Sequence, residues 1–156
     1  MGCGLFIFEI MPTKTHKLKL TSKKQFELID ITELVDGLVT KSGVRNGLVN
    51  IFSPHTTASV RLNQNEPLLI QDIMKTIYDL VPVDINYSHD LFEIRSGIEA
   101  LNRSNGHAHV KNFLMGSSQT IPLEGNKMTL TARQSIFFVE LDGGREREVI
   151  VTVIGD

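Results

Sequence analysis

SIFFVELDGGREREVIVTVI, from Ser135 to Ile154, decides the fold class. Two runs rich in β-branched and aromatic residues flank Asp-Gly-Gly, a strong turn signal, and each run has the length of a strand. Glu140 interrupts the first run on the strand face it shares with Gln134, Ile136 and Phe138. A carboxylate in that position must sit at an edge, be paired, or be functional, because burying it alone is costly. An ion pair with a nearby arginine and a catalytic role both satisfy that requirement.

Working outward, QTIPL, KMTLT, SIFFVEL and EVIVTVI give a β-rich last third, separated by EGN and DGG. These signals predict antiparallel hairpins at the C-terminal end. Upstream, THKLKL (15–20) alternates polar and apolar residues, and QFELID (25–30) is a second strand candidate. LVNIFS (48–53) and ASVRLN (58–63) read as strands joined by the polar turn PHTT. A helix is predicted over Ile31–Lys41, with Asp30 and Glu33 resembling a capping box and Gly43 as its stop. Pro67 opens another, in which Leu69, Ile73 and Ile77 recur at fours, ending near Pro82. Val83 to Arg103 is irregular, with a short helix predicted over Ser96–Asn102. The expectation is an α+β single domain, mostly antiparallel β-sheet with two to three helices, over residues 13–156. Residues 1–12 form an N-terminal extension.

The composition narrows the function classes. The 156 residues make one domain, and 16 Lys and Arg against 18 Asp and Glu give a formal charge of -2. Without a basic block there is no electrostatic footprint for a nucleic acid. The apolar run Leu5–Ile10 is too short to span a bilayer and lacks the flanks of a signal peptide. Phe6 stands where a myristoylation motif needs Ser or Thr. A lone Cys3 fits a reducing compartment, and the location expected is cytoplasmic.

NGHAHVKNFLMGSSQT (105–120) carries two of the histidines. Val110, Phe113 and Leu114 have helical spacing and Gly116 is a natural stop. On a helix, residues two apart diverge by about 200°. His109 then shares a face with Asn112 and Phe113, while His107 points with Lys111 and Leu114, so at most one of the pair can bind a given metal ion. His16 lies in an amphipathic strand and reads as solvated surface. His55 falls in the SPHTT turn and His89 in the NYSHD segment, where loops on a scaffold concentrate function. Three imidazoles from three segments would suit zinc with one position open; as bare spacing, ordinary loop histidines are the favoured reading, since no local metal motif accompanies them. Gly116-Ser117-Ser118, Lys111, Arg145 and Arg147 could hold an anion, or form a solvated turn with balanced surface charge.

Together these pieces resemble the YjbQ family, small proteins often labelled secondary thiamine-phosphate synthases. The resemblance covers Thr13 to Gly155 and rests on HTTASVRLNQNEP, NYSHD, HVKNFLMGSSQTIPLEGNKMTL, RQSIFFVELDGGRER and IVTVIG in that order. It places the family's histidines on His55, on His89 beside Asp90, and on His109, followed by Lys111. Its Trp-Gln falls on Arg133 and Gln134, so arginine replaces the tryptophan here. It implies an α+β homotrimer with a divalent metal, zinc first, held by His55, His89 and His109 near a subunit boundary. Glu140 or Asp90 would serve as general acid/base. Lys111, Ser117 and Ser118 would hold phosphate, and Asn63, Gln134, Arg145 and Arg147 would complete the substrate side. The implied transferase activity joins a pyrimidine diphosphate to a thiazole phosphate and releases pyrophosphate. Magnesium would accompany a diphosphate substrate, whereas three imidazoles prefer zinc, nickel or iron. The alternatives are a metal-dependent phosphoester hydrolase and a non-enzymatic homotrimer that binds metal or a small ligand. Partners outside the phosphorylated small molecule and the trimer, including membranes, are not expected.

Overall fold

The computed structural model describes residues 11–91 and 104–156. Its strands and helices follow in the order β1 Thr13–Thr21, β2 Glu27–Asp30, α1 Thr32–Ser42, β3 Gly47–Phe52, β4 Ala58–Asn63, α2 Pro67–Leu80, α3 Gly106–Met115, β5 Ser118–Glu124, β6 Lys127–Met128, β7 Ser135–Glu140 and β8 Glu146–Gly155. Residues 88–91 are also helical. The chain is α+β, with antiparallel pairing throughout the described strands. The predicted helix over Ser96–Asn102 and most of the N-terminal extension lie outside the described residues.

The strands form a five-stranded sheet, β1-β8-β3-β5-β6, and a three-stranded sheet, β2-β7-β4. Their inner faces share one core. Val149, Val151 and Val153 of β8 and Val49 and Ile51 of β3 meet Ile136 and Phe138 of β7 and Val60 of β4. Val35 and Val39 of α1 enter the same core. The smaller sheet is covered on its other face too, where Phe137, Val139 and Leu141 pack with Ala108 of α3, Ile70 of α2 and Met115. Burial on both faces explains why SIFFVE is a continuous apolar run, whereas EREVIVTVIG alternates.

The expected pair of C-terminal hairpins is half right. Glu124-Gly125-Asn126 does reverse the chain between β5 and β6, with φ of 59° at Gly125 and 64° at Asn126, as a tight primed turn requires. Asn126 then ties the hairpin to the end of α1 by donating to the carbonyls of Val39 (3.2 Å) and Val44 (2.6 Å). Asp142-Gly143-Gly144, in contrast, joins strands of different sheets, since β7 pairs with β2 and β4 while β8 pairs with β1 and β3. The segment PHTT likewise carries the chain from β3 in one sheet to β4 in the other.

His16 also departs from expectation. It is half-buried on the face of β1 that carries Leu18 and Leu20, and its Nε2 is buried without a hydrogen-bond partner among the described residues. The helix starts match the reading closely. Asp30 accepts from the backbone and hydroxyl of Thr32 at the head of α1. Gly43, at φ 72°, caps its end in the left-handed region that glycine adopts at least cost. Glu66 caps α2 through the N–H groups of Leu68 and Leu69, directly before Pro67.

Glu140 and Arg147 pin the two sheets to each other where the crossing loops 53–57 and 141–145 meet. Glu140 is 0% exposed, and Arg147 reaches it with Nε at 2.8 Å and Nη2 at 2.6 Å. The remaining carboxylate capacity is filled by the Ser22 hydroxyl and by the N–H groups of Leu141 and Asp142. Burial alone would raise the carboxyl's pKa, but the hydrogen bonds from Arg147, Asp142 and Ser22 and the Arg147 charge hold it below the ordinary value.

Removing one partner of such a pair leaves the other charge buried and alone. Glu140→Gln should therefore cost about 3–5 kcal/mol in urea denaturation at neutral pH. Because the folded carboxyl titrates low, the pair's contribution is present above the unfolded-state value of 4.5 and fades as pH falls through the folded value. The gap between the parent and Glu140→Gln should therefore hold from neutral to mildly acidic pH and close in stronger acid. A gap that is already absent at neutral pH would refute this account of the corner.

Candidate functional site

The crossing loops 53–57 and 141–145 emerge side by side, since Ala58 at the start of β4 is paired with Glu140 at the end of β7. Leu141 extends the contact by donating its N–H to the Thr57 carbonyl (3.2 Å). Against this corner stands the N-terminal end of α3. Between them lies a cavity of about 370 Å³ lined by His55, Thr56, Thr57, Asn105, His109, Asp142, Arg145 and Arg147.

Several of these polar side chains are held by bonds to the crossing loops and to β8. Arg145 pairs with Asp142 at 3.0 Å and donates to its carbonyl at 2.8 Å, while Asn105 donates to the same carboxylate at 3.2 Å. Arg147 donates from Nη2 to the Thr57 hydroxyl (3.1 Å) as well as to Glu140. His55 has Nε2 3.1 Å from the Glu148 carbonyl and 3.0 Å from its N–H. One ring tautomer satisfies the carbonyl and leaves Nδ1 basic; the other accepts the N–H and makes Nδ1 a donor. Burial and the Arg147 charge lower the pKa of His55, against weaker opposing effects from Glu148 and Glu140, which favours the neutral ring.

The turn containing His89 is docked onto α3 by Asp90. Its carboxylate accepts from the Ser104 hydroxyl and from the N–H groups of Asn105 (3.0 Å) and Gly106 (2.9 Å), the unsatisfied donors at a helix start. Burial would raise the Asp90 pKa, but these bonds and the neighbouring His89 lower it. Gly106 permits the approach: a Cβ there would lie 2.4 Å from Cβ of Tyr87. The result sets the rings of His89 and His109 edge to face, with centroids 4.7 Å apart.

The whole-chain comparisons agree with one another. The family model described as UPF0047 protein YjbQ-like matches residues 16–156. The chain belongs to the YjbQ family. A UPF0047 protein of Methanothermobacter thermautotrophicus is 40% identical over 155 residues, covering 99% of both chains. The UPF0047 protein YjbQ of Escherichia coli O157:H7 is 27% identical, over 89% of this chain and 96% of its own. Among solved structures, a YbjQ-like protein of unknown function from Sulfolobus solfataricus P2 superposes with a TM-score of 0.85 at 32% identity, covering 94% of this chain and 100% of that one. A hypothetical protein from Aeropyrum pernix K1 gives 0.82 at 33% identity, covering 92% and 99%.

The residues that the YjbQ resemblance singles out do not all come together. His55, His109, Arg145 and Arg147 line one cavity, with His89 against His109 and Asp90 fixing the helix start. Glu140 stands behind Arg147, saturated by five hydrogen bonds. Asn63 and Gln134 lie at the far end of the smaller sheet, where Asn63 pairs with Ser135, roughly 17 Å along β4 from Ala58. Ser117 and Ser118 begin β5 beside the end of β3. Lys111 lines a different cavity with His107. The exposed Arg133, in the family's tryptophan position, precedes β7. Asp142, Thr57 and Asn105 complete the site without having been singled out. Asp142 had registered only as part of a turn, and its chemistry depends on Arg145 folding back onto it.

Within one chain the described residues do not by themselves assemble a complete metal centre. Two imidazoles lie together, but among the described residues no three of His, Cys, Asp or Glu are grouped to hold one ion. Asp142, the carboxylate in the cavity lining, already serves Arg145 and Asn105, which disfavours magnesium on oxygen ligands there. Among the described residues, no helix is long and apolar enough to cross a membrane.

The other side of α3 is chemically unlike this one. His107 and Lys111 are 1% and 2% exposed and line a cavity of about 320 Å³ with Phe26, Tyr78 and Leu141. The Lys111 ammonium is 5.7 Å from the ring centroids of both Phe26 and Tyr78, and burial lowers its pKa. Such contacts are worth about 0.5–2 kcal/mol each, short of the several kcal/mol lost when an ammonium leaves water.

Removing the Asp90 carboxylate takes away a cap and the tether of His89 together. Asp90→Ala should lower stability by about 1 kcal/mol. It should also abolish the ring-to-ring nuclear Overhauser contacts between His89 and His109. Retention of those contacts in the variant would mean that something other than the cap holds the rings together.

Proposed function

We propose that the cavity between the crossing loops and α3 binds a phosphorylated small molecule and transforms it by acid–base chemistry. The observation that carries this reading is the company Arg145 keeps: a guanidinium clamped by Asp142, beside a histidine shifted towards its neutral form, whose Nδ1 is base or acid according to tautomer. Planar guanidinium groups suit phosphoryl oxygens, and two arginines meet at this cavity. His55 would move the proton, Arg145 would orient the phosphoryl group, and Arg147 and Glu140 would act as positioning residues, since both are committed to each other. In its most specific form the reaction is thiamine-phosphate synthesis with release of pyrophosphate; hydrolysis of a phosphoester is the coarser form.

A second reading retains a divalent ion, zinc first, on His55, His89 and His109. The contact between His89 and His109 favours it, as does the backbone tether at Nε2 of His55, which is the usual way a ligating imidazole is oriented. It requires His55 to approach the pair, in one chain or across a trimer.

A homotrimer is part of the same proposal. Phe113 is 87% exposed, Leu68 67% and Leu114 55%, on helices α2 and α3, and the outer face of the larger sheet presents Leu48 and Phe52. Apolar side chains in such numbers suit burial against further copies of the chain. Sedimentation equilibrium should return three times the 17.4 kDa chain mass, and Phe113→Asp should shift the population towards smaller species. A monomeric parent would remove this part of the reading.

Pyrophosphate release from the two thiamine precursors, run beside hydrolysis of generic phosphoesters, tests the activity itself. His55→Ala should reduce kcat by about 10²–10⁴ in whichever assay responds, and Arg145→Ala should act mainly on KM. Turnover that survives chelation, with little metal per chain by plasma mass spectrometry, supports the acid–base form. Near-stoichiometric zinc that is lost in a His55→Ala/His109→Ala variant supports the metal form. If neither substrate class reacts in the presence or absence of added zinc or magnesium, the enzymatic reading fails and ligand binding alone remains.

A further inference from the structure

Lys111 belongs to a site of its own. Helical geometry sets it one turn from His107 and on the other side of α3 from His109, so it faces the cavity formed with Phe26, Tyr78 and Leu141. Among the described residues no carboxylate and no hydrogen-bond acceptor meets its ammonium; two aromatic rings are its company. Lys111 is 2% exposed, and an ammonium at the edge of an apolar cavity with this company lacks most of the compensation that a buried charge requires. The same cavity is bordered by His107, whose Nδ1 is buried without a partner among the described residues, and by the Gln25 amide, 3.5 Å from Nε2 of that histidine. Apolar walls with a few polar groups gathered at one end are the usual form of a small-molecule pocket.

We propose that this cavity binds a small carboxylic acid with an aromatic or aliphatic body, its carboxylate paired with the Lys111 ammonium and its body packed against Phe26, Tyr78 and Leu141. One cation and one amide match the single charge of a carboxylate. A phosphate dianion would bring a second charge into the same apolar walls with no second cation beneath it, since Lys75 at the rim is exposed. Lys111 therefore belongs to this pocket and not to the phosphate side of the His55 cavity. The site stands or falls independently of the activity proposed for that cavity.

The test is isothermal titration calorimetry on the full chain with 3-phenylpropionate, its uncharged amide 3-phenylpropionamide, and inorganic phosphate. The acid should bind at least about tenfold more tightly than the amide, a margin of about 1.4 kcal/mol. Its affinity should fall by a similar factor in Lys111→Met and stay unchanged in His55→Ala/His109→Ala. Free of ligand, Lys111→Met should unfold at higher urea than the parent, because it removes a buried charge and keeps the side-chain volume. Equal affinity for acid and amide would overturn the proposal, as would undetectable binding of the acid, phosphate displacing it from Lys111, or a Lys111→Met chain less stable than the parent. The comparison of acid with amide on the unsubstituted chain decides the matter even if Lys111→Met does not fold.

Discussion

The Glu140–Arg147 pair is the constraint on which the remaining geometry depends. Two sheets of unequal size must be held in register at an edge where the chain crosses between them three times, after β1, after β3 and after β7. A hydrophobic contact would press the sheets together there without fixing orientation. The bidentate pair fixes both, because Nε and Nη2 of Arg147 each donate to a different oxygen of the Glu140 carboxylate. Its reach extends further on either side: Ser22 after β1 donates to Glu140, and Thr57 in the crossing loop after β3 receives Arg147. The corner thus ties together four segments that are remote in sequence. Arg147 also lines the cavity, so the site's shape follows from the same bond that joins the sheets.

This arrangement accounts for what the sequence disclosed and what it withheld. Strand and helix positions were legible because each rests on local signals: the alternation of EREVIVTVIG, the glutamate and proline at the head of α2, the glycine after α1. The Gly125-Asn126 turn was legible for the same reason, since both residues tolerate positive φ. The DGG segment misled because turn chemistry reports that the chain reverses and says nothing about which strand receives it. A second signal was present in the contrast between its flanks. SIFFVE is apolar on both faces and needs two covering layers, whereas EREVIVTVIG alternates and needs one. Two strands with such different demands are poor neighbours in one sheet.

At the site, legibility follows the distance over which a residue's role is set. The divergence of His107 and His109 comes from a two-residue offset on a helix, and the structure has it. The meeting of His89 with His109 depends on Asp90 reaching the N-terminus of α3 from sixteen residues away, over a glycine that admits Tyr87. Nothing in the spacing of NYSHD and NGHAH announces that bond. Asp142 was overlooked because an aspartate before two glycines is explained by the turn alone, and its second duty to Arg145 and Asn105 exists only in three dimensions.

Helix α3 then separates two environments that one short sequence supplies. Towards the crossing loops the surroundings are polar and already charge-balanced: Asp142 serves Arg145, Glu140 serves Arg147, and His55 is shifted towards its neutral form. A ligand entering there meets donors whose charges are held in place, so it gains orientation more than neutralisation. Towards α2 the walls are apolar and one cation has no counter-charge among the described residues, so a ligand entering there gains chiefly by supplying that charge. The two faces therefore select by opposite means, geometry on one side and charge completion on the other. An i, i+4 pair and a histidine between them, within the five residues His107 to Lys111, suffice to build both.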